Sequence, residues 1–132
     1  MEDHPRMLEE TWLANLIQES GNEIFIIDAS SLAVLEASEA VRRNLQYSAA
    51  ELATMSASQI MRDLSDEQLH QFVGRLRAGG EPEITARTTQ LRRDGSLFWA
   101  RISARMFDTP EYGNAVLGVL EDISPAHEAA QA

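Results

Sequence analysis

Residues 91–123 read LRRDGSLFWARISARMFDTPEYGNAVLGVLEDI, and this stretch decides the fold. Its Asp94-Gly95 pair stands between two runs that alternate apolar and polar positions, the strongest short-range hairpin signal a sequence offers. A two-residue Asp-Gly turn needs positive φ at both positions, so the pair predicts a tight connection between strands at about 83–93 and 96–107. A third strand is expected at about 114–123. Alternation after the turn puts Phe98, Ala100, Ile102 and Ala104 on one face and Trp99, Arg101, Ser103 and Arg105 on the other. The first set is small and apolar and is expected to face the core.

Upstream, Glu23–Asp28 (EIFIID) and Leu32–Glu36 (LAVLE) are short apolar runs joined by Ala29, Ser30 and Ser31, the pattern of a second hairpin. Ser38 is placed to cap a helix ending near Leu45, and Ser48 with Glu51 has capping-box spacing. Residues 53–64 lack a long period and suggest short helical turns. Ser65 with Gln68 makes a second capping pair, opening a helix through Leu69, Phe72, Val73 and Leu76 that stops at Gly79-Gly80. Near the start, Leu8, Trp12, Leu13, Leu16 and Ile17 fall at helical spacing and predict an amphipathic helix over about 6–19. The order of helix, two strands, several short helices and three strands predicts an α+β domain, an antiparallel sheet with its helices on one face.

The basic run before Asp94-Gly95, the Phe98-Trp99 after it and the closing Glu121-Asp122-Ile123-Ser124 together resemble the C-terminal half of a PAS domain. The segments IFIID and EASEAVRRNLQYSAAEL extend that resemblance over about residues 20–124. It implies the PAS fold, a five-stranded antiparallel sheet whose N- and C-terminal strands are adjacent at the centre. It also implies a division into a flanking helix (1–19), the PAS domain (20–124) and the start of a linker to an output domain (125–132). Two positions depart from the pattern. Ser38 stands where asparagine is usual, and Gln46 where glycine is usual, which leaves the path of the turn before Tyr47 open.

Composition narrows the function classes. A chain of 132 residues, 44% of them hydrophobic, buries a core without disulfides. It has no cysteine, which removes thiol nucleophiles, thiolate metal sites and cysteine-attached chromophores. It has no lysine either, which removes Schiff-base chemistry and the phosphate-loop lysine. A net charge of −10 argues against nucleic acid as a partner. No apolar stretch approaches the ~20 residues of a membrane span, and the acidic start is unlike a signal peptide, so a cytoplasmic location is expected. No nucleophile elbow, phosphate loop or paired acid and base is present, so the expectation is a regulatory module and not an enzyme.

The sites follow from the alternation. On the last strand Val116, Gly118 and Leu120 share the inner face with Ala100, Ile102 and Ala104, and Gly118 would let another group approach the backbone. The strand before the hairpin has two registers. One turns Ile84, Ala86, Thr88 and Gln90 inward and the other Thr85, Arg87, Thr89 and Leu91; the first buries less charge and is preferred. Ala86, Thr88, Gln90, Ala100, Ile102, Ala104, Val116, Gly118, Met61 and Phe72 are therefore candidates to line a small-molecule pocket, the alternative being a core filled by Met55, Met61 and Phe72. The cofactor expectation is none, or an unknown small molecule. His70 is the one candidate axial ligand for heme, lying one step off the stripe of its helix, and Thr88 or Gln90 could bond a non-covalent flavin. No metal site is expected, since Glu67 and His70 lack the further carboxylates a di-iron centre needs.

Leu117 and Val119 make the last strand apolar on both faces, so with Trp99 the outer face calls for a cover. Leu8, Trp12, Leu13 and Leu16 of the first helix are candidates to provide it, in a homodimer or within one chain. The resemblance implies that such a helix and the outer sheet face form a dimer interface. It also implies that Asp122 and Ile123 carry a signal into a C-terminal output domain of a bacterial two-component or cyclic-dinucleotide signalling protein.

Overall fold

The computed structural model describes residues 21–124, so the expected helix over 6–19 and the linker from 125 lie outside the described residues. In chain order the elements are β1 (Glu23–Asp28), β2 (Val34–Ala37), α1 (Glu39–Leu45), α2 (Ala49–Leu52), α3 (Ala57–Ile60), α4 (Asp66–Arg77), β3 (Ile84–Leu91), β4 (Leu97–Thr109) and β5 (Gly113–Asp122). The strands form one antiparallel sheet in the order β2-β1-β5-β4-β3, so the first and last strands are adjacent at its centre. The helical segment crosses from one edge strand to the other, because β2 and β3 are the two edges.

Capping side chains set the helix starts. Ser48 Oγ accepts from Glu51 N–H while Glu51 Oε1 accepts from Ser48 N–H, and Ser65 with Gln68 repeats the exchange at α4. Ser38 does more than cap α1. Its buried hydroxyl accepts from Val41 N–H (3.3 Å) and Ile24 N–H (3.0 Å) and donates to Asn22 O (2.6 Å), tying the helix start to the first strand. Serine thus keeps the capping role at this position.

Two expectations are corrected. Of the Asp94-Gly95 pair only Gly95 takes positive φ (91°). Gly95 N–H donates to Arg92 O and Arg92 N–H to Ser96 O, each at 2.9 Å, so Arg93 and Asp94 form the turn and Gly95 follows in the left-handed region. This three-residue loop spares Asp94 a left-handed backbone, while Asp94 Oδ1 accepts from both Ser96 N–H (2.9 Å) and Ser96 Oγ (2.6 Å). Secondly, β2 begins at Val34 and not at Leu32. Leu32 adopts φ 66° because the turn wraps the Asp28 carboxylate, which accepts from Ser30 N–H and Ser31 N–H. At Gly118 an added β-carbon would meet only Ile102 Cγ2, at 3.9 Å, among the described residues, so the space beside its backbone is open.

The main core lies between the sheet and the helices. Phe25 and Ile27 of β1, Val41 and Leu45 of α1, Leu69, Val73 and Leu76 of α4, Phe98, Ala100 and Ile102 of β4, and Val116 and Leu120 of β5 are all buried in it. A smaller cluster forms on the opposite face, where Ile26 and Ala115 are buried among Ile24, Phe107, Tyr112 and Leu117. Both faces of the central strands are therefore apolar, as the doubly apolar pattern of β5 requires.

Candidate functional site

The register of β3 fixes the polar content of the interior. Ala86 pairs with Ile102, Thr88 with Ala100 and Gln90 with Phe98, so Ile84, Ala86, Thr88 and Gln90 point toward the helices. Thr88 and Gln90 are then 1% and 0% exposed on an otherwise apolar surface. The Gln90 amide nitrogen donates to Thr88 Oγ1 at 3.0 Å, and Gln90 Oε1 has no hydrogen-bond partner among the described residues.

A cavity of about 80 Å³ lies between this surface and α3 and α4. Its walls include Ala86, Thr88, Ile102, Ala104, Val116 and Gly118, expected from alternation, and Met61 and Phe72, expected from the helical segment. Two expected residues do not border it. Ala100 is wholly buried in the packed core, and Gln90 stands behind Thr88, with its strand position bridged to Met61. Alternation could not make these distinctions, since it gives the face of a residue but not its position along the cavity. Phe25, Ile27, Leu32 and Leu64 are not among the expected pocket residues and also border it, as do Ala57 of α3, Leu69, Val73 and Leu76 of α4, Ile84 of β3 and Leu120 of β5. Phe25 and Ile27 carried a signal in the inner set of β1, whereas Leu32 enters only because its left-handed backbone turns it inward.

Leu64 and Phe72 also border a surface cleft of about 190 Å³, shared with Gln68, Gln71 and Arg75. These two side chains therefore partition the interior from the cleft. Arg75 stacks on the Phe72 ring at 5.7 Å and donates to both Glu81 carboxylate oxygens, at 2.9 and 3.0 Å.

The cavity does not fit the large cofactors considered from sequence. An apolar cavity of ~150 Å³ holds benzene, so a space of about 80 Å³ admits neither a porphyrin nor an isoalloxazine with its walls in place. His70 is exposed on α4 and does not border the cavity, so it is not positioned as an axial ligand there. Among the described residues no cluster of three or more histidine, aspartate or glutamate side chains could hold a metal ion.

A polar network closes the far end of the sheet. Arg92, at the base of the Asp94-Gly95 loop, lies 4.3 Å over the Phe98 ring, donates through Nε to Asn44 O and Oδ1 (both 3.2 Å), and sits 3.7 Å from Asp122 Oδ2. Asn44 in turn donates to Glu23 Oε1 at 2.9 Å. Burial pushes the Glu23 carboxyl above its usual value, with Asp122 adding to the rise while the Asn44 hydrogen bond and Arg92 oppose it. The end of β5 is also fastened to β4: Ile123 N–H donates to Trp99 O and Trp99 N–H to Ser124 Oγ, both at 2.9 Å. Asp122 and Ile123 thus sit where the first strand, the hairpin and the chain exit meet.

On the outer face Val119 is 42% exposed, while Leu117 and Trp99 are half-buried. Leu8, Trp12, Leu13 and Leu16 lie outside the described residues. No described helix is long and apolar enough to cross a membrane.

The sequence profile of the PAS domain family matches residues 22–125. Among solved structures, the chain is similar to the PAS domain of an HTR-like protein from Haloarcula marismortui, with 21% identity, a TM-score of 0.73, and 93% of this chain and 100% of that one covered. A PAS domain from a two-component sensor histidine kinase aligns at 20% identity and a TM-score of 0.71, over 89% of this chain and 98% of that one. The PAS domain of nitrogen regulation protein NR(II) from Vibrio parahaemolyticus aligns at 19% identity and a TM-score of 0.64, over 84% of this chain and 97% of that one. No curated protein matches the sequence.

Proposed function

Because the chain belongs to the PAS domain family, we propose that it is a sensor module that takes a small molecule into the cavity beneath α3 and α4 and passes the resulting change in the sheet to a following output domain. One observation carries this reading: the cavity is bordered by β3, β4 and β5 together, so an occupant touches the strands whose far ends hold Asp122 and Ile123. An occupant pressing on Ile102, Ala104 or Gly118 shifts β4 against β5, and the Arg92–Asp122 and Trp99–Ile123 contacts move with them. Phe72 and Leu64 are the way in, from the surface cleft. The module itself is regulatory, and any catalysis belongs to the output domain, of the histidine kinase or cyclic-dinucleotide kind, in a cytoplasmic signalling protein.

Native mass spectrometry of freshly purified protein, with an absorbance scan, tests the reading. A small mass increment on a colourless protein, lost in the cavity-filling variant Ala104→Leu, is the expected result. An unliganded mass, together with no response of the lining residues to small apolar probes in NMR titration, would sink it.

The outer face supports a second role. Val119 leaves apolar surface exposed beside the buried Ile26 and Ala115 cluster, and we propose that this face, with Leu117 and Trp99 and the stripe of Leu8, Trp12, Leu13 and Leu16, joins two copies of the chain.

A further inference from the structure

Among the described residues Thr88 is the one polar side chain in the wall of the cavity, and its hydrogen bonding is incomplete. Its oxygen accepts from the Gln90 amide nitrogen, so its own proton points elsewhere, and among the described residues no acceptor takes it. Gln90 Oε1, at zero exposure, is left without a donor among the described residues. Buried polar groups are nearly always paired, and each exception calls for an explanation. An unused hydroxyl donor at the wall of an apolar cavity is explained if the missing partner is a group on the occupant. The Gln90 amide behind it strengthens the hydroxyl as a donor, because hydrogen bonds in a chain polarise one another in a low-dielectric interior.

Resting on the sensor reading above, we infer that the occupant is an uncharged, largely apolar compound whose single carbonyl-type oxygen accepts a hydrogen bond from Thr88. Three features of the site select this class. Among the described residues no cation borders the cavity, so a carboxylate or phosphate buried there would be uncompensated. No described carboxylate borders it either, so an ammonium compound is equally disfavoured. The rest of the wall, including Phe72, Ile102 and Val116, is hydrocarbon, which leaves sugars and polyols without partners. The volume of about 80 Å³ is about half of the ~150 Å³ that holds benzene, so it limits the compound to a few heavy atoms unless Phe72 swings aside, as a five-carbon compound requires. Short ketones, aldehydes, esters and lactones meet all of these conditions.

NMR titration of the isotope-labelled full chain with 2-pentanone, cyclopentane and pentanoate tests the assignment. The expected result is that 2-pentanone shifts the resonances of Thr88, Ile102 and Ala104 and binds at least tenfold more tightly than either of the others. The variant Thr88→Val, of the same shape without the hydroxyl, should bring 2-pentanone down to the level of cyclopentane, and Thr88→Ser should restore the preference. Equal binding of ketone and hydrocarbon to the wild-type chain would overturn the inference while leaving the cavity a ligand site, and tighter binding of pentanoate would overturn it in favour of an anion. No response to any of the three would instead remove the sensor reading on which the inference rests. If Thr88→Val does not fold, the comparison of the three probes on the wild-type chain still decides.

Discussion

Gln46 and Asp94 clamp the two halves of the domain: Gln46 Nε2 donates to Asp94 Oδ2 and Asp94 N–H donates to Gln46 Oε1, both at 3.2 Å. Gln46 closes α1 in the left-handed conformation (φ 70°), which a side chain adopts at a cost of ~1–2 kcal/mol. Its amide offsets that cost by holding the hairpin loop against the helix end. The turn before Tyr47, open on sequence grounds, therefore keeps the left-handed path a glycine would take.

This geometry orders two variants against the wild type. Gln46→Ala keeps the strained backbone and loses both hydrogen bonds, so it should destabilise by about 1–2 kcal/mol. Gln46→Gly loses the same bonds but relieves the backbone, and should fall between alanine and wild type. Denaturant unfolding of the three proteins checks the order; an alanine variant as stable as wild type would show that the clamp contributes nothing.

The two alanines of β4 should behave differently although they share a face. Ala104 borders the cavity, and Ala104→Leu should leave stability within about 0.5 kcal/mol of wild type or raise it. Ala100 is wholly buried away from the cavity, and Ala100→Leu should cost about 1–3 kcal/mol through overpacking. Melting temperatures of both variants decide, and a large loss at Ala104 would mean the cavity cannot accept added volume.

This contrast marks how far the sequence could be read. Period-two alternation in β4 and β5, and the capping spacings at Ser48 and Ser65, are local signals that tertiary packing left intact, so they located the faces and helix starts. The placement of Ala100 in packed core and Ala104 at a void depends on which helix side chains arrive above them, a long-range fact with no local signal. The turn type failed for a related reason: Asp94 takes the less strained backbone because Ser96 and Gln46 are both there to bond its side chain and N–H.

The carboxylates give opposite pH dependences. Hydrogen bonds from Ser31 hold Asp28, and those from Ser96 hold Asp94, below the usual 3.8. Their stabilising contribution is fully present above 3.8 and is lost as pH falls through their lower folded-state values. Glu23 is raised above 4.5, so its contribution is full below 4.5 and is lost as pH rises through its higher folded-state value. Glu23→Gln, which keeps an acceptor for Asn44, should accordingly raise the melting temperature at pH 7 and make little difference at pH 4. A variant less stable than wild type at pH 7 would show that the attraction of Arg92 outweighs burial.

Assembly is the remaining prediction, and it turns on Val119. This side chain is 42% exposed on a face where Ile26 and Ala115 are already buried, so apolar surface continues from covered to open ground. Burying such surface is worth ~25 cal/mol per Å², which favours a second copy meeting the same patch across a two-fold axis. In a symmetric dimer every substitution acts twice. Val119→Arg would remove about 1 kcal/mol of burial from each copy and oppose two like charges, so the dimer should weaken at least tenfold. The exposed strand position should tolerate arginine without loss of the fold, which circular dichroism would verify. Light scattering at micromolar concentration on the full chain, on Val119→Arg and on a chain starting near Ser20 separates the arrangements. A dimer in the full chain alone places the stripe of Trp12, Leu13 and Leu16 in the interface with Val119, whereas a monomeric full chain would show that the outer face is covered within one chain or left open.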